Sequence, residues 1–317
     1  MSRPLLLLGV SRSGTTLLRV ILDRSPGLAI PDESFFVPLL ARRHGKMVDA
    51  ERFLDDLARI RAIRDWGLSA ACLARRIRSG MPTGEAIAAI YEAYAEAAGK
   101  PRWGDKTPMY MRHLALLDEL FPDAQYVHLI RDGRDAALSF LQMPEGTFTR
   151  TWAHPRTPAQ FACLWRKEVA DARSLGRRVG TTRYHEVRYE ALVADPDAAV
   201  RGICAFAGIP FEPAMLEYAG AVDVSSKPHQ QRLLAPPTTG VRSWRDDMSA
   251  ADVAGFEAVA GGLLRELEYE VVSGGDPGAR AALTRRWYDV RLSAWNASAS
   301  LFQRSPLWPR RHPRLSA

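Results

Sequence analysis

Short runs that are apolar at every position alternate along the chain with longer stretches whose apolar residues recur every three or four places. The first run, Leu5-Leu6-Leu7-Leu8-Gly9-Val10, ends in a polar loop. A run that short and that uniformly apolar predicts a strand covered on both faces, as in a parallel sheet. From Thr15 to Arg24 the residues Leu17, Leu18, Ile21 and Leu22 follow helical spacing, and Pro26-Gly27 stops the helix. Gln125-Tyr126-Val127-His128-Leu129-Ile130 repeats the scheme, followed by the loop Arg131-Asp132-Gly133-Arg134 and a helix from about Asp135 to Leu141. The amphipathic segment Met111–Phe121 supplies a crossover helix before that strand. A third strand is expected over Arg183–Arg188, where His185, Val187 and Tyr189 alternate with charged neighbours.

Between these units the pattern is helical: an alanine-rich insertion within 37–100, then 159–178, 196–207 and 250–268. The stretch Gln142–Pro158 is rich in Pro, Gly and Thr and reads as a mobile lid. Gly274-Gly275-Asp276-Pro277-Gly278 breaks the chain into a domain over 1–273 and a basic helical extension over 279–317. Repeated strand–loop–helix units make the fold α/β, P-loop-like and three-layered, a central parallel sheet flanked by helices.

Composition narrows the class. With 317 residues, 47% hydrophobic and 25% charged, the chain can bury a sizeable core. The formal charge of +7 reads as spread along the chain, either a solvated basic surface or a field drawing in an anionic ligand. No aromatic-interleaved basic module appears, so no nucleic acid partner is expected. Cys72, Cys163 and Cys204 share no metal-ligand spacing, which points to free thiols in a reducing compartment. Leu5–Val10 is too short for a signal-peptide core, and no apolar run reaches membrane-spanning length; the expected location is cytoplasmic.

Two loops carry candidate chemistry. Gly9-Val10-Ser11-Arg12-Ser13-Gly14-Thr15-Thr16 leads from strand to helix, so its backbone amides and the helix N-terminus can cradle an anion. A Walker A loop has lysine after its last glycine; here Thr15 stands there and a cation, Arg12, comes earlier, which disfavours a nucleotide triphosphatase. The alternative is a glycine turn without ligand. In the second loop, Arg131 stands where a metal-binding aspartate would follow the strand, and Ser139 adds a hydroxyl two helical turns on. This suits phosphate held by charge-assisted bonds without a metal; alone, such a run is a surface ion-pair cluster.

Together these stretches resemble the sulfotransferases that use 3′-phosphoadenosine 5′-phosphosulfate (PAPS). Ser11 to Leu17 is similar to their 5′-phosphosulfate loop, and Ile130 to Ser139 to their 3′-phosphate site. Arg188-Tyr189-Glu190-Ala191-Leu192 with Asp195-Pro196 looks like a third signature, whose tyrosine lies by the nucleotide. The match runs over roughly residues 5–270. Within the superfamily the likeness is closest to tyrosylprotein sulfotransferases and bacterial enzymes of their pattern, which place an acidic pair past the first helix, as Pro31-Asp32-Glu33-Ser34 does. The resemblance implies Glu33 as general base; the alternative is that Asp32 and Glu33 cap a helix beginning at Ser34.

Asp105-Lys106-Thr107-Pro108 matches the Lys-Thr of small-molecule sulfotransferases but has Pro108 in place of their basic histidine, which strengthens Glu33. Lys106, with Arg12, is then expected to neutralise the leaving oxygen; otherwise Lys106 pairs with Asp105 or solvent. Further along, Ser226 within Ser225-Ser226-Lys227 and Arg242 within Gly240–Arg245 resemble nucleotide-closing segments, though the family lysine before that loop is replaced by Leu233-Leu234-Ala235-Pro236. Trp165 and Trp244 are candidates to stack on adenine or to fill the core. The implied partners are PAPS and a hydroxyl-bearing acceptor shaped by the 37–100 insertion, with a homodimer as an option. The rival functions are a small-molecule kinase and a non-catalytic nucleotide-binding protein. The acceptor stays open among peptide tyrosine, carbohydrate, lipid and natural product.

Overall fold

In the computed structural model, which describes residues 3–143, 154–218, 243–274 and 279–304, the apolar runs become the inner strands of one parallel sheet. Its strands are β1 (Leu5–Leu8), β2 (Gly104–Asp105), β3 (Gln125–Ile130) and β4 (Tyr184–Arg188), in the order β2-β1-β3-β4. Leu5 lies opposite Gln125 and Leu8 opposite His128; Tyr126 lies opposite Tyr184 and Ile130 opposite Arg188. Every residue of β1 and β3 is buried, because strands in the middle of a covered parallel sheet meet helices on both faces. On the edge strand β4 only Val187 is buried.

The two-residue period of a strand sorts β1 into two cores. Leu5 and Leu7 join Leu17, Leu18, Ile21 and Leu22 of α1 (Thr15–Asp23) on one face. Leu6 and Leu8 face the other, larger cluster. The insertion contributes α2 (Val37–His44), α3 (Ala50–Arg59), α4 (Arg61–Asp65), α5 (Ala70–Ala74) and α6 (Thr83–Ala97). The expected crossover helix splits at His113, whose φ of −131° is not helical, into a 3-10 turn over Pro108–Arg112 and α7 (Leu114–Leu120).

After β3 come α8 (Gly133–Leu141) and the long α9 (Pro158–Val179); after β4 come α10 (Tyr189–Ala194) and α11 (Pro196–Ala207). The described C-terminal part holds α12 (Trp244–Asp247), α13 (Ala250–Glu266) and α14 (Ala279–Arg304). Most of the expected lid, 144–153, lies outside the described residues, as do Ser226, Arg242 and the tail beyond 304. The positive surplus is not spread along the chain. Residues 279–317 hold eight arginines and one aspartate, which accounts for all +7, so the preceding residues are balanced in formal charge. Among the described residues no helix is long and apolar enough to cross a membrane.

Candidate active site

The two loops open side by side at the carboxyl ends of the adjacent strands β1 and β3, where ligands bind in open α/β sheets. Gly14 is the N-cap of α1 with φ of 90°, a backbone that side-chain-bearing residues rarely adopt. A Cβ there would lie 2.4 Å from Cδ2 of Tyr189, so the glycine also lets that ring close on the loop. Beyond Gly14, the first-turn amides at Thr15 and Thr16 have no intrahelical carbonyl to bond, as at every helix start. Arg12 is left-handed too, with φ of 72°. A non-glycine residue held in that region is strained, and such strain gathers at functional sites.

The second loop meets the first directly. Arg12 Nε donates to Ser139 Oγ at 3.0 Å, and Arg131 Nη1 donates to the Arg12 carbonyl at 3.3 Å. The Arg131 guanidinium lies 4.6 Å from the centre of the Tyr189 ring, within cation–π range. Two buried polar atoms here, Ser13 Oγ and Arg131 Nε, have no hydrogen-bond partner among the described residues. Buried polar groups are ordinarily paired, so orphans beside a helix N-terminus and two arginines fit a site built for an anion.

The RDGR run divides its labour. Arg131 faces the site, whereas Arg134 turns into the core and is almost wholly buried. It grips Asp132 through Nε (3.0 Å) and Nη2 (2.7 Å) and Glu257 through Nη1 (2.6 Å), with its guanidinium 3.7 Å from the Trp244 ring centre. Asp132 also caps α8, accepting from Arg134 N. Trp165 and Trp244 are core residues: Trp165 Nε1 donates to the Arg131 carbonyl and its ring packs on Gly133, and Trp244 lies between Arg134 and Arg245. Neither is offered to a base.

Next to the first loop stands an acid–base pair. Lys106 Nζ is hydrogen-bonded to Glu33 Oε1 and to Thr16 Oγ1, the latter at 3.1 Å. Lys106 is 1% exposed and Glu33 30%, so the lysine is fixed from behind while the carboxylate reaches solvent. Burial lowers the Lys106 ammonium from its usual range, and the Glu33 carboxylate opposes that fall. Glu33 and Asp32 do not cap a helix: α2 begins only at Val37, Asp32 pairs with Arg19 at 3.1 Å, and Glu33 pairs with Lys106.

Behind the pair lies a buried polar cluster that sequence reasoning missed. Asp105 Oδ2 accepts from Ser34 Oγ (2.8 Å), Tyr91 OH (2.9 Å) and Thr107 Oγ1 (3.3 Å), and Tyr110 OH lies 2.6 Å from Ser34 Oγ. Burial pushes the Asp105 carboxyl up to about 6 against these hydrogen bonds. The signal was the polar run Asp105-Lys106-Thr107 emerging from a strand too short to show a hydrophobic pattern.

The model of the sulfotransferase family matches residues 4–213. The chain belongs to that family. It is 28% identical over 284 residues to the nodulation protein NoeE of Sinorhizobium fredii, covering 83% of this chain and 65% of the relative. It is 26% identical over 274 residues to protein-tyrosine sulfotransferase A of Caenorhabditis elegans, covering 83% and 66%. The chain thus spans just under two thirds of the length of these curated relatives. Among solved structures, the sulfotransferase domain of the curacin biosynthetic pathway shares the fold with a TM-score of 0.54 and 19% identity, over 86% of this chain and 99% of that one. The sulfotransferase domain of the Synechococcus PCC 7002 olefin synthase does so at 0.51 and 24%, over 91% and 96%.

Proposed function

We propose that the chain transfers the sulfuryl group of PAPS to an acceptor hydroxyl, with Glu33 as general base. The observation that carries this reading is the Glu33–Lys106 pair set on Thr16, in the first turn of the helix that follows the anion loop. A carboxylate half open to solvent can take a proton from an incoming hydroxyl. A cation touching the same helix turn can stabilise charge growing on the oxygen that leaves.

Arg12, Ser13 and the backbone amides from Gly14 to Thr16 would hold the 5′-phosphosulfate; Arg131, Ser139 and Tyr189 would hold the 3′-phosphate end of the nucleotide. In the step itself the acceptor O–H gives its proton to Glu33 and a bond forms from that oxygen to sulfur. The bond from sulfur to the 5′-phosphate oxygen breaks, and 3′-phosphoadenosine 5′-phosphate (PAP) departs with the electron pair. Ser226 and Arg242 remain proposals for nucleotide closure from the resemblance alone.

Glu33→Gln is expected to leave PAP affinity nearly unchanged while lowering transfer of labelled sulfate by at least about 10²-fold, the scale of a lost general base. Arg131→Ala is expected to weaken PAP in calorimetry. Undiminished transfer in the first variant removes Glu33 from its role, and ATP–Mg²⁺ binding in preference to PAP turns the reading toward a kinase. The relatives named protein-tyrosine sulfotransferases favour peptide tyrosine as the first acceptor to screen. The three cysteines are free thiols, which supports a reducing, cytoplasmic setting.

A further inference from the structure

The segment carrying Glu33 runs beside the one carrying Lys106. Ala29 and Trp103 form a parallel bridge, with Gly104 N donating to the Ala29 carbonyl at 2.8 Å and Ala29 N to the Arg102 carbonyl at 2.9 Å. Because extended residues alternate in direction, Lys106 points one way and its neighbours Asp105 and Thr107 the other. The same alternation separates Glu33, which meets Lys106, from Ser34, which meets Asp105 and Thr107.

Ser34 is held at every polar atom it has to offer on that side. Its amide donates to Thr107 Oγ1 at 3.1 Å and its hydroxyl to Asp105 Oδ2. A serine hydroxyl has one hydrogen, so with that hydrogen on Asp105 the 2.6 Å contact to Tyr110 is Tyr110 OH donating to Ser34 Oγ. Val37 N in turn donates to Tyr110 OH at 3.0 Å. Between these anchors Phe35 has φ of 55°, an uncommon state for a bulky residue that neighbouring structure must enforce.

We propose that Ser34, Asp105, Thr107 and Tyr110 form a clamp that positions Glu33 against Lys106. None of the four touches the reacting atoms in this assignment; they act through the backbone on either side of Ser34. The inference rests on the reading of Glu33 as base only for its effect on turnover, not for its effect on the Glu33–Lys106 contact.

The test uses the full chain as Ser34→Ala and, separately, Tyr110→Phe, each checked for folding by circular dichroism. Side-chain NMR of labelled lysine follows the Lys106 titration, with Glu33→Gln as the control that deletes the partner charge. Loss of the clamp lets Glu33 swing off, so Lys106 is expected to titrate lower in both variants, by at least about half a unit and in the direction of the control. An unmoved Lys106 in folded variants, with a moved one in the control, overturns the clamp. Turnover with labelled PAPS and a tyrosyl peptide is expected to fall about tenfold or more in Ser34→Ala with PAP affinity unchanged. Adding Ser34→Ala to Glu33→Gln is expected to cost nothing further, because a positioning residue has no effect once its client is gone. An equal loss in both backgrounds overturns the clamp as well. Full turnover in Glu33→Gln alone defeats the base assignment and leaves the NMR result to judge the clamp.

Discussion

Replacing Arg134 by Met tests whether the second arginine of the RDGR loop is a structural strut. Arg134 and Glu257 have side chains 1% exposed and Asp132 8%, so removing the guanidinium leaves two carboxylates in a dry setting. Breaking a buried ion pair by deleting one partner costs about 3–5 kcal/mol, because the other charge stays behind unpaired. Glu257 keeps other donors: Ser273 through its amide at 2.7 Å and its hydroxyl, and Val272 N at 3.3 Å. Among the described residues the Asp132 carboxylate keeps only the cap bond from the amide of residue 134, so it bears most of the loss. The expectation is therefore the lower end, about 3 kcal/mol. By contrast, the exposed pair Arg61–Asp65, at 73% and 55%, belongs to the class worth about 0–1 kcal/mol, and Arg61→Met serves as the control. Urea unfolding of both variants, read as midpoint and slope, gives the difference. A loss below about 1 kcal/mol in Arg134→Met, no larger than in the control, refutes the strut.

Asp105 makes stability depend on pH in an unusual sense. Its folded-state carboxyl, raised to about 6 from 3.8, holds a proton that the unfolded chain has released, so stability falls as pH rises through that window and is level above it. A shift of that size corresponds to about 3 kcal/mol, and urea unfolding of Asp105→Asn at pH 4, 5 and 6.5 should lack that part of the slope; an identical slope refutes it. Gly14→Ala meets both a φ of 90° and the Tyr189 ring 2.4 Å away, so it should abolish PAP binding in calorimetry while the chain still folds; retained affinity would show that the loop does not carry the nucleotide.

The strands β1 and β3 were legible because burial on both faces leaves a run with no polar position, and α1 because its buried stripe repeats at helical spacing. β2 was not: a two-residue strand of Gly104 and Asp105 has no pattern to read. The candidate anion loops were visible as local chemistry, and Arg131 stood out by its place directly after the strand; the burial of Arg134 as a strut had no local sign. What holds Arg134 inside is Glu257, which lies 123 positions away. Glu33 and Lys106, 73 positions apart, came to notice only through family likeness. Their contact depends on the parallel bridge between Ala29 and Trp103, a pairing that no local pattern encodes.

That bridge explains why the cation can come from outside the anion loop. A lysine on the first helix would share the support of the loop itself. Lys106 instead extends from β2, whose extension also grips Ser34, so the proposed base and the proposed leaving-group cation share one support. The proposed phosphate cradle hangs on a different support, the left-handed turn at Arg12 and Gly14 braced by Tyr189 and Ser139. Two supports mean two separable failures. Damage at Gly14 should remove the nucleotide and leave the Glu33–Lys106 contact in place, whereas damage at Ser34 should loosen that contact and leave nucleotide affinity intact.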